Sequence, residues 1–450
     1  MKKPTATKKK ALPAVVYCVG SPNFDPKAAI EDTGAHEAAL QALQTDNDLE
    51  TAIRTWFGFL PGEEDKYVYH AIASVKLAQV QHAVRLGAAN GLHAWYFDAD
   101  GGQLPSPSQA DIDAYISIFL PSTLTASALK TFSSNAKKGS VRALVARDLA
   151  AKRFIHPGHS LASQLISIPR AKKSSAMPRN PYFDFWAWSC RILEWCGPYT
   201  PPPPPSTSGT KQTPPQVPVR SHHILPIFMH HFGCAVPSHE ALTLLKLIAA
   251  GRPIADIGSG NGYWAFMLRA YGVTAVYAVD NAQSAWRVTW IPDTIISDGA
   301  KWLSSTSSSS PSSPNQKDMV LLLVYPIVSN NFTRSVVAAY KGDTVAVVGT
   351  QNRNGYTAFA DMTVDEFMVT ASATADGQGQ GQGQGHGQGG GWTKIIQIPL
   401  PSFAGKDEAL FIFQRGSRAP APAPLMSAPS LPPSAPPKAR IDGDGTKLGE

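Results

Sequence analysis

Residues 255–266 read "ADIGSGNGYWAF", just after the apolar, helix-like run "HEALTLLKLIAAGRP" (239–253). Gly258, Gly260 and Gly262 alternate with small polar residues, and Asp256 stands two places before the first of them. Glycines so spaced allow backbone dihedrals closed to other residues and remove the Cβ atoms that would hold a ligand off the chain. The spacing is GxGxG. A dinucleotide fingerprint wants glycine at the next place along, where this chain has Tyr263.

Around this stretch, strand-like runs recur at about 253–257, 274–279, 293–297, 318–324, 343–348, 393–399 and 408–414. Helical segments are expected between the first five, at roughly 262–271, 283–290, 299–303 and 332–340, with another near 363–370. Strands and helices alternating at this length predict an α/β fold, a parallel sheet with helices on both faces. The last two strands have no helix between them and are expected to close the sheet as an antiparallel pair.

In such a sheet ligands lie beyond the carboxyl ends of the strands, where the strand order reverses. The glycine stretch ends the first strand. The second ends in "YAVDN", so Asp280 stands 22 residues after Gly258 at a strand tip, where a carboxylate's two oxygens match a ribose diol. The third ends in "ISDGAKW", and Asp298 there suits an adenine amino group. A glycine stair and two acids on successive strand ends describe a nucleoside site without phosphate-binding cations.

On these residues, 221–416 resemble the class I S-adenosylmethionine-dependent methyltransferases: "ADIGSGNGYW", the acid of "AVDN", the acid of "SDGA" and the terminal strand pair carry the likeness. The lead-in "NPYFDFWAWSCRILEWCGPY…SHHILPIFMHHFGCAVPSHEAL" is similar to that of a fungal branch of such proteins. The resemblance implies a Rossmann-like, seven-stranded methyltransferase sheet and S-adenosyl-L-methionine as cofactor. Asp256, Gly258, Ser259, Gly260 and Gly262 would lie along its methionine part, Asp280 and Asn281 at the ribose and Asp298 at the adenine. It says almost nothing about residues 1–177.

The fourth strand tip reads "LLVYPIVSNN". Amino-methylating nucleic-acid enzymes resembling this fold carry an Asn/Asp-Pro-Pro-Tyr loop here; Val324 in place of the acid or amide argues against that chemistry. Tyr325 either stacks on a substrate or closes the pocket. Before the sheet, "SHHILPIFMHHFGCAVPSHEAL" gathers His222, His223, His230, His231, His239 and Cys234. His223 and His230, seven apart, are candidate bases on one helix face, the alternative being polar rim residues. The spacing is wide for a metal site, and none is expected. Methyl transfer needs little beyond proximity and alignment, so no obvious base is required. After the fifth strand, "GTQNRNGYTAF" (349–359) makes a polar loop in which Gln351, Asn352, Arg353 and Tyr356 are candidates for acceptor recognition.

Low-complexity segments divide the rest. The expected organisation is a disordered basic tail (1–35), a mainly helical region (36–200), a proline-rich linker (201–220), the α/β unit (221–416, with mobile inserts at 304–317 and 372–391) and a disordered proline-rich tail (417–450). In the helical region, "EEDKYVYHAIASVKLAQVQHAVRL" has Val68, Ile72, Val75, Ala78 and Val80 near helical spacing. In 180–196, Phe185, Trp188, Ile192 and Trp195 form an aromatic face that packs on a core in preference to lining a pocket.

Much of the +7 net charge comes from the opening "MKKPTATKKK". That is a basic tail and not a nucleic-acid face, so the expected methyl acceptor is a small molecule or a protein. Four cysteines without a CxxC pair fit a reducing compartment. The longest apolar run, 319–328, is about half a membrane span. A cytoplasmic protein is expected, with nuclear import left open by the lysines. A methyltransferase-like fold that has lost catalysis and serves as a binding or scaffold protein stands as the alternative. A nicotinamide-dependent oxidoreductase is disfavoured by Tyr263.

Overall fold

The computed structural model describes residues 24–59, 66–69, 73–90, 93–98, 100–159, 177–200, 221–282, 287–305, 315–326, 331–351, 357, 362–368 and 391–420. The linker, most of both inserts, the first 23 residues and those after 420 lie outside them.

In chain order the helices are α1 (Pro26–Glu31), α2 (Thr33–Asp46), α3 (Leu49–Phe57), α4 (Leu77–Leu86), α5 (Gln109–Ser117), α6 (Thr125–Ser134), α7 (Val141–Lys152), α8 (Pro181–Ile192), α9 (Ile224–His231), α10 (His239–Ala249), α11 (Tyr263–Ala270), α12 (Gly299–Ser305) and α13 (Phe332–Ala339). The strands are β1 (Tyr67–Tyr69), β2 (Ala73–Val75), β3 (Phe154–Ile155), β4 (Ile254–Ile257), β5 (Val276–Asp280), β6 (Ile295–Ile296), β7 (Val320–Val324), β8 (Thr344–Thr350), β9 (Thr393–Pro399) and β10 (Glu408–Gln414).

Strands β3 to β10 form one sheet in the order β3-β9-β10-β8-β7-β4-β5-β6. The five strands β4 to β8 are parallel, and their order reverses between β4 and β7, the switch point of a doubly wound sheet. Beyond β8 the chain departs from a dinucleotide-binding sheet: β10 inserts antiparallel against β8, and β9 lies antiparallel outside it. The architecture is Rossmann-like.

Residues along each central strand alternate between two cores. Ile254 of β4, Leu322 of β7 and Ile412 of β10 face the larger, shared with α10, α11 and the N-terminal helices. Ala255, Leu321 and Phe411 face the smaller, shared with α12 and α13. Burial on both faces is why "MVLLLV" is a continuous apolar run without polar alternation.

Four expectations need correcting. Among the described residues the sheet has eight strands, not seven, because β3 of the N-terminal region pairs with β9 through Phe154–Gln397 and Ile155–Ile396; two residues are too few to show a period. Residues 67–69 and 73–75 are not helical: "YVY", aromatic and β-branched throughout, pairs as β1 with "ASV" as β2, and helix starts only at Leu77. Residues 24–35 form α1 and the start of α2 instead of continuing a tail, since the Asp25 and Asp32 side chains cap them and Pro26 sits where a helix tolerates it. Residues 287–290, expected to end a helix, are irregular.

The aromatic face of α8 is core: Phe185, Trp188 and Trp195 are buried. The indole N–H groups of Trp186 and Trp195 both donate to the Ser402 carbonyl at 2.9 Å, which clamps the β9–β10 connection beneath α8. Lys152 of α7 bridges Asp148 and Asp407, and Arg153 pairs with Glu240 of α10.

Candidate functional site

A cavity of about 530 Å³ opens at the carboxyl ends of β4, β5, β6 and β7, within the size range of small-molecule sites. Gly258 and Gly260 line its floor with φ of +76° and +57°, while Gly262, φ +77°, is not among the lining residues and shapes the turn into α11. Only glycine adopts this succession without strain. At Gly262 space also decides, because a Cβ would lie 2.5 Å from Ile291 Cγ1, whereas at Gly260 the nearest atom would be Arg287 Nη1 at 3.7 Å. Gly262→Ala is therefore expected to cost roughly 2–5 kcal/mol in urea denaturation, strain and overpacking together. Gly260→Ala should cost about 1–2 kcal/mol and weaken ligand binding by a larger factor, since its methyl group points into open cavity.

Asp280 ends β5 on the wall of the cavity. Its Oδ2 accepts from Gly260 N at 3.0 Å and its Oδ1 from Ala282 N at 2.8 Å, so this carboxylate holds the glycine loop in shape. Each oxygen keeps a second lone pair for a ligand. Asn281 lines the same wall. Asp298, after β6, lines the far end and also caps α12, accepting from Lys301 N at 2.8 Å. Ser259 Oγ and Asn261 Nδ2 are buried at the cavity with no hydrogen-bond partner among the described residues. Buried polar atoms left so at a cavity are what a bound polar ligand would satisfy.

Asp256 does not line the cavity. It lies within β4, 1 % exposed, with neither carboxylate oxygen hydrogen-bonded among the described residues. Burial first, and then the charge of Asp280, push it up to about 7. Strand alternation explains the placement: Asp256 faces the same side as Ile254, beneath the loop.

Tyr325 does line the cavity. It follows β7 with φ +53°, its N–H donates to the Val348 carbonyl at 2.7 Å, and its hydroxyl accepts from Lys406 Nζ at 2.9 Å. The two candidate histidines do not. His223 is exposed at the start of α9, whose first turn accommodates Pro226. His230 is fully buried against Tyr67 and His231, and burial holds it neutral, well below its ordinary range. His231 bonds the Ile227 carbonyl, and His239 lies against Tyr271. Of the histidines in this stretch none lines the cavity, His230 and His231 packing against each other at 4.7 Å, whereas Cys234 does. Among the described residues no three histidine, cysteine or acidic side chains converge to hold a metal. Gln351 is turned to structure: its Nε2 donates to Asp407 and its Oε1 accepts from Gln397, both at 2.7 Å. Asn352, Arg353 and Tyr356 lie outside the described residues.

Sequence reasoning missed Arg287, Asn261 and Phe332, all on the cavity wall. Arg287 Nη1 stands 4.0 Å from Cys234 Sγ and over Gly260, a cation above the glycine stair. A lone arginine in an irregular segment leaves no pattern to read. Tyr263, where a dinucleotide site needs glycine, packs edge-on to Trp290 at 4.6 Å and donates to Asn180 Oδ1 at 2.7 Å, tying α11 to the start of α8.

No family model and no curated protein matches this chain. Solved structures similar to it include a candidate RNA methyltransferase from Pyrococcus horikoshii (15% identity, 40% of this chain and 87% of that one, TM-score 0.24). Another is a candidate S-adenosylmethionine-dependent methyltransferase from Streptococcus mutans (16%, 38% and 46%, 0.25). A third is a mitomycin 7-O-methyltransferase (11%, 85% and 94%, 0.25). These are methyltransferases by description. Likeness at this level carries neither activity nor substrate to this chain, and the fold rests on the strand order described above. No helix among the described residues is long and apolar enough to cross a membrane.

Proposed function

We propose that this chain binds S-adenosyl-L-methionine in the cavity and transfers its methyl group to a small molecule or a protein. The observation that carries the reading is the lateral order of strand ends along one cavity: Asp298 after β6, Asp280 at β5, the glycine stair after β4 and Tyr325 after β7. That order runs from base to sugar to amino acid to acceptor. When bound, the cofactor supplies an electrophilic methyl group on a sulfonium.

The protein's own work is then positional. Asp280 offers two carboxylate oxygens to the ribose diol, Asn281 extends that wall, and Asp298 accepts from the adenine amino group with the oxygen not used in capping α12. Ser259 Oγ and Asn261 Nδ2 receive the methionine part, whose carboxylate finds the Arg287 guanidinium above Gly260. Bringing donor and acceptor together in one water-poor cavity supplies much of the acceleration such a transfer needs. A nicotinamide reading is weaker, because Tyr263 fills the place of the third glycine and no second phosphate cradle follows.

Calorimetric titration of S-adenosylmethionine, S-adenosylhomocysteine and NAD into the full chain tests this. Micromolar binding of both sulfur ligands, with NAD weaker by a factor of 100 or more, on the order of 3 kcal/mol, is expected. Failure of both sulfur ligands to bind would remove the enzyme reading and leave a binding or scaffold role for the fold.

A further inference from the structure

We propose that Tyr325, supported by the buried Lys406, is the proton acceptor for a phenolic hydroxyl on the methyl acceptor. The inference rests on the methyl-transfer reading and names the substrate class for the same site. Tyr325 closes the β7 end of the cavity, and the chain delivers it there in a left-handed conformation that a bulky residue adopts only at some cost. Lys406 comes from the β9–β10 connection, is 2 % exposed, and donates its Nζ proton to the Tyr325 hydroxyl at 2.9 Å. The connection that carries it is clamped by Trp186, Trp195 and Tyr115 around Ser402, which fixes the backbone from which Lys406 extends.

An ammonium donating to the oxygen favours the phenolate over the phenol. Other charged or titratable groups act on this pair. Glu408 and Asp407 lie beside Lys406 on the same connection, Cys234 faces Lys406 from the loop after α9, Arg287 stands beside Cys234, and the Tyr182 and Tyr115 hydroxyls face Glu408. Burial lowers Lys406 from its ordinary value, and Glu408 opposes this.

The chemistry selects the acceptor. A tyrosinate is matched in basicity to another phenol, near 10, and not to an aliphatic alcohol. Val324, at the first place of this loop, offers no side-chain acceptor for an amine. Aromatic rings of Phe232, Tyr263, Trp264 and Phe332 line the cavity for a flat substrate. In the step, the acceptor O–H proton passes to the Tyr325 oxygen. The acceptor oxygen's electron pair forms the new O–CH3 bond while the C–S bond breaks, its electrons staying on sulfur as a neutral thioether. Sulfonium and phenolate charges are both consumed, and the proton later leaves Tyr325 to solvent.

The test uses the full chain labelled with 13Cζ-tyrosine, which has 13 tyrosines, with the Tyr325 resonance identified by its absence in Tyr325→Phe. Titration from pH 6 to 11 is expected to show Tyr325 ionising at least one pH unit below the exposed tyrosines, and Lys406→Met returning it to their range. If Lys406→Met fails to fold with Glu408 left unpaired, Lys406→Met/Glu408→Gln removes both charges and carries the same expectation. A Tyr325 that ionises with or above the exposed tyrosines overturns the proposal. With S-adenosylhomocysteine present, 4-nitrophenol one pH unit below its own pKa should show, with the wild type, a yellow phenolate fraction raised above that in buffer, and with Tyr325→Phe a rise at least fivefold smaller. No rise, or equal rises, overturns the phenolic class. Calorimetry with S-adenosylhomocysteine separates the two levels: retained binding with a failed tyrosine titration rejects this inference alone, and lost binding rejects the methyl-transfer reading.

Discussion

Asp256→Asn is expected to stabilise the chain by up to about 4 kcal/mol at pH 8 and by almost nothing at pH 4. Unfolded, this carboxyl ionises near 4. Folded, it keeps its proton to about 7, because it is buried in β4 beside Asp280. Between those values the native state binds the extra proton, so its stability falls as pH rises from about 4 to about 7 and stays low above. Three pKa units at about 1.4 kcal/mol each set the size. Asparagine keeps the shape and cannot ionise. Burial pushes His222 and His231 down to about 3, so they titrate in the same window with opposite sign, but they do so in both chains and cancel in the difference. Urea denaturation of the two chains at pH 4, 6 and 8 measures it; equal stabilities at pH 8 would show that Asp256 is solvated or paired. Since Asp256 lies beneath the cavity floor, S-adenosylmethionine affinity should change by less than about threefold, under 1 kcal/mol.

Asp280→Ala is expected to do the reverse, leaving stability within about 2 kcal/mol and weakening both sulfur ligands by a factor of 100 or more. The substitution removes the acceptor of the Gly260 and Ala282 N–H groups, so the stair loses the shape that admits a ligand. It also removes two charge-assisted acceptors, each contributing about 1.5–3 kcal/mol. Asp280→Asn, which keeps one acceptor oxygen, should fall between. Calorimetry on the three chains reads this directly, and an alanine variant that binds within fivefold of wild type would take the ribose away from β5.

The difference between these two aspartates was only half legible in the sequence. Both precede or follow the glycine stair at strand ends, and carboxylates there read alike. Which one meets the cavity depends on strand alternation and on how the loop folds back over β4, and neither is a sequence pattern. The parallel sheet was legible because strand and helix periods alternate over about a hundred residues, from β4 to β8, and the glycines mark the first crossover. The antiparallel pair at the end was legible from a missing helix. That β10 would insert next to β8, with β9 outside it, was not. The histidines misled for a physical reason: the apolar stretch "SHHILPIFMHH" that carries them packs into the core and takes His230 and His231 away from the cavity, which spacing alone does not reveal. Lys406 and Arg287 reach the site from segments with no periodic signal.

The pairing of β3 with β9 also has a consequence for the order of events during synthesis. Lys152 meets Asp407, and His159 meets Gln414, each across 255 positions of chain. At roughly 5–20 residues per second a ribosome needs some 13–50 s to supply those partners. Throughout that interval Lys152 has Asp148 but not Asp407, and the Trp186 and Trp195 indoles, once made, lack the Ser402 carbonyl. The nascent chain therefore carries the face that β9 and β10 later cover exposed until those strands are made, and folding yield depends on what shields it in that interval.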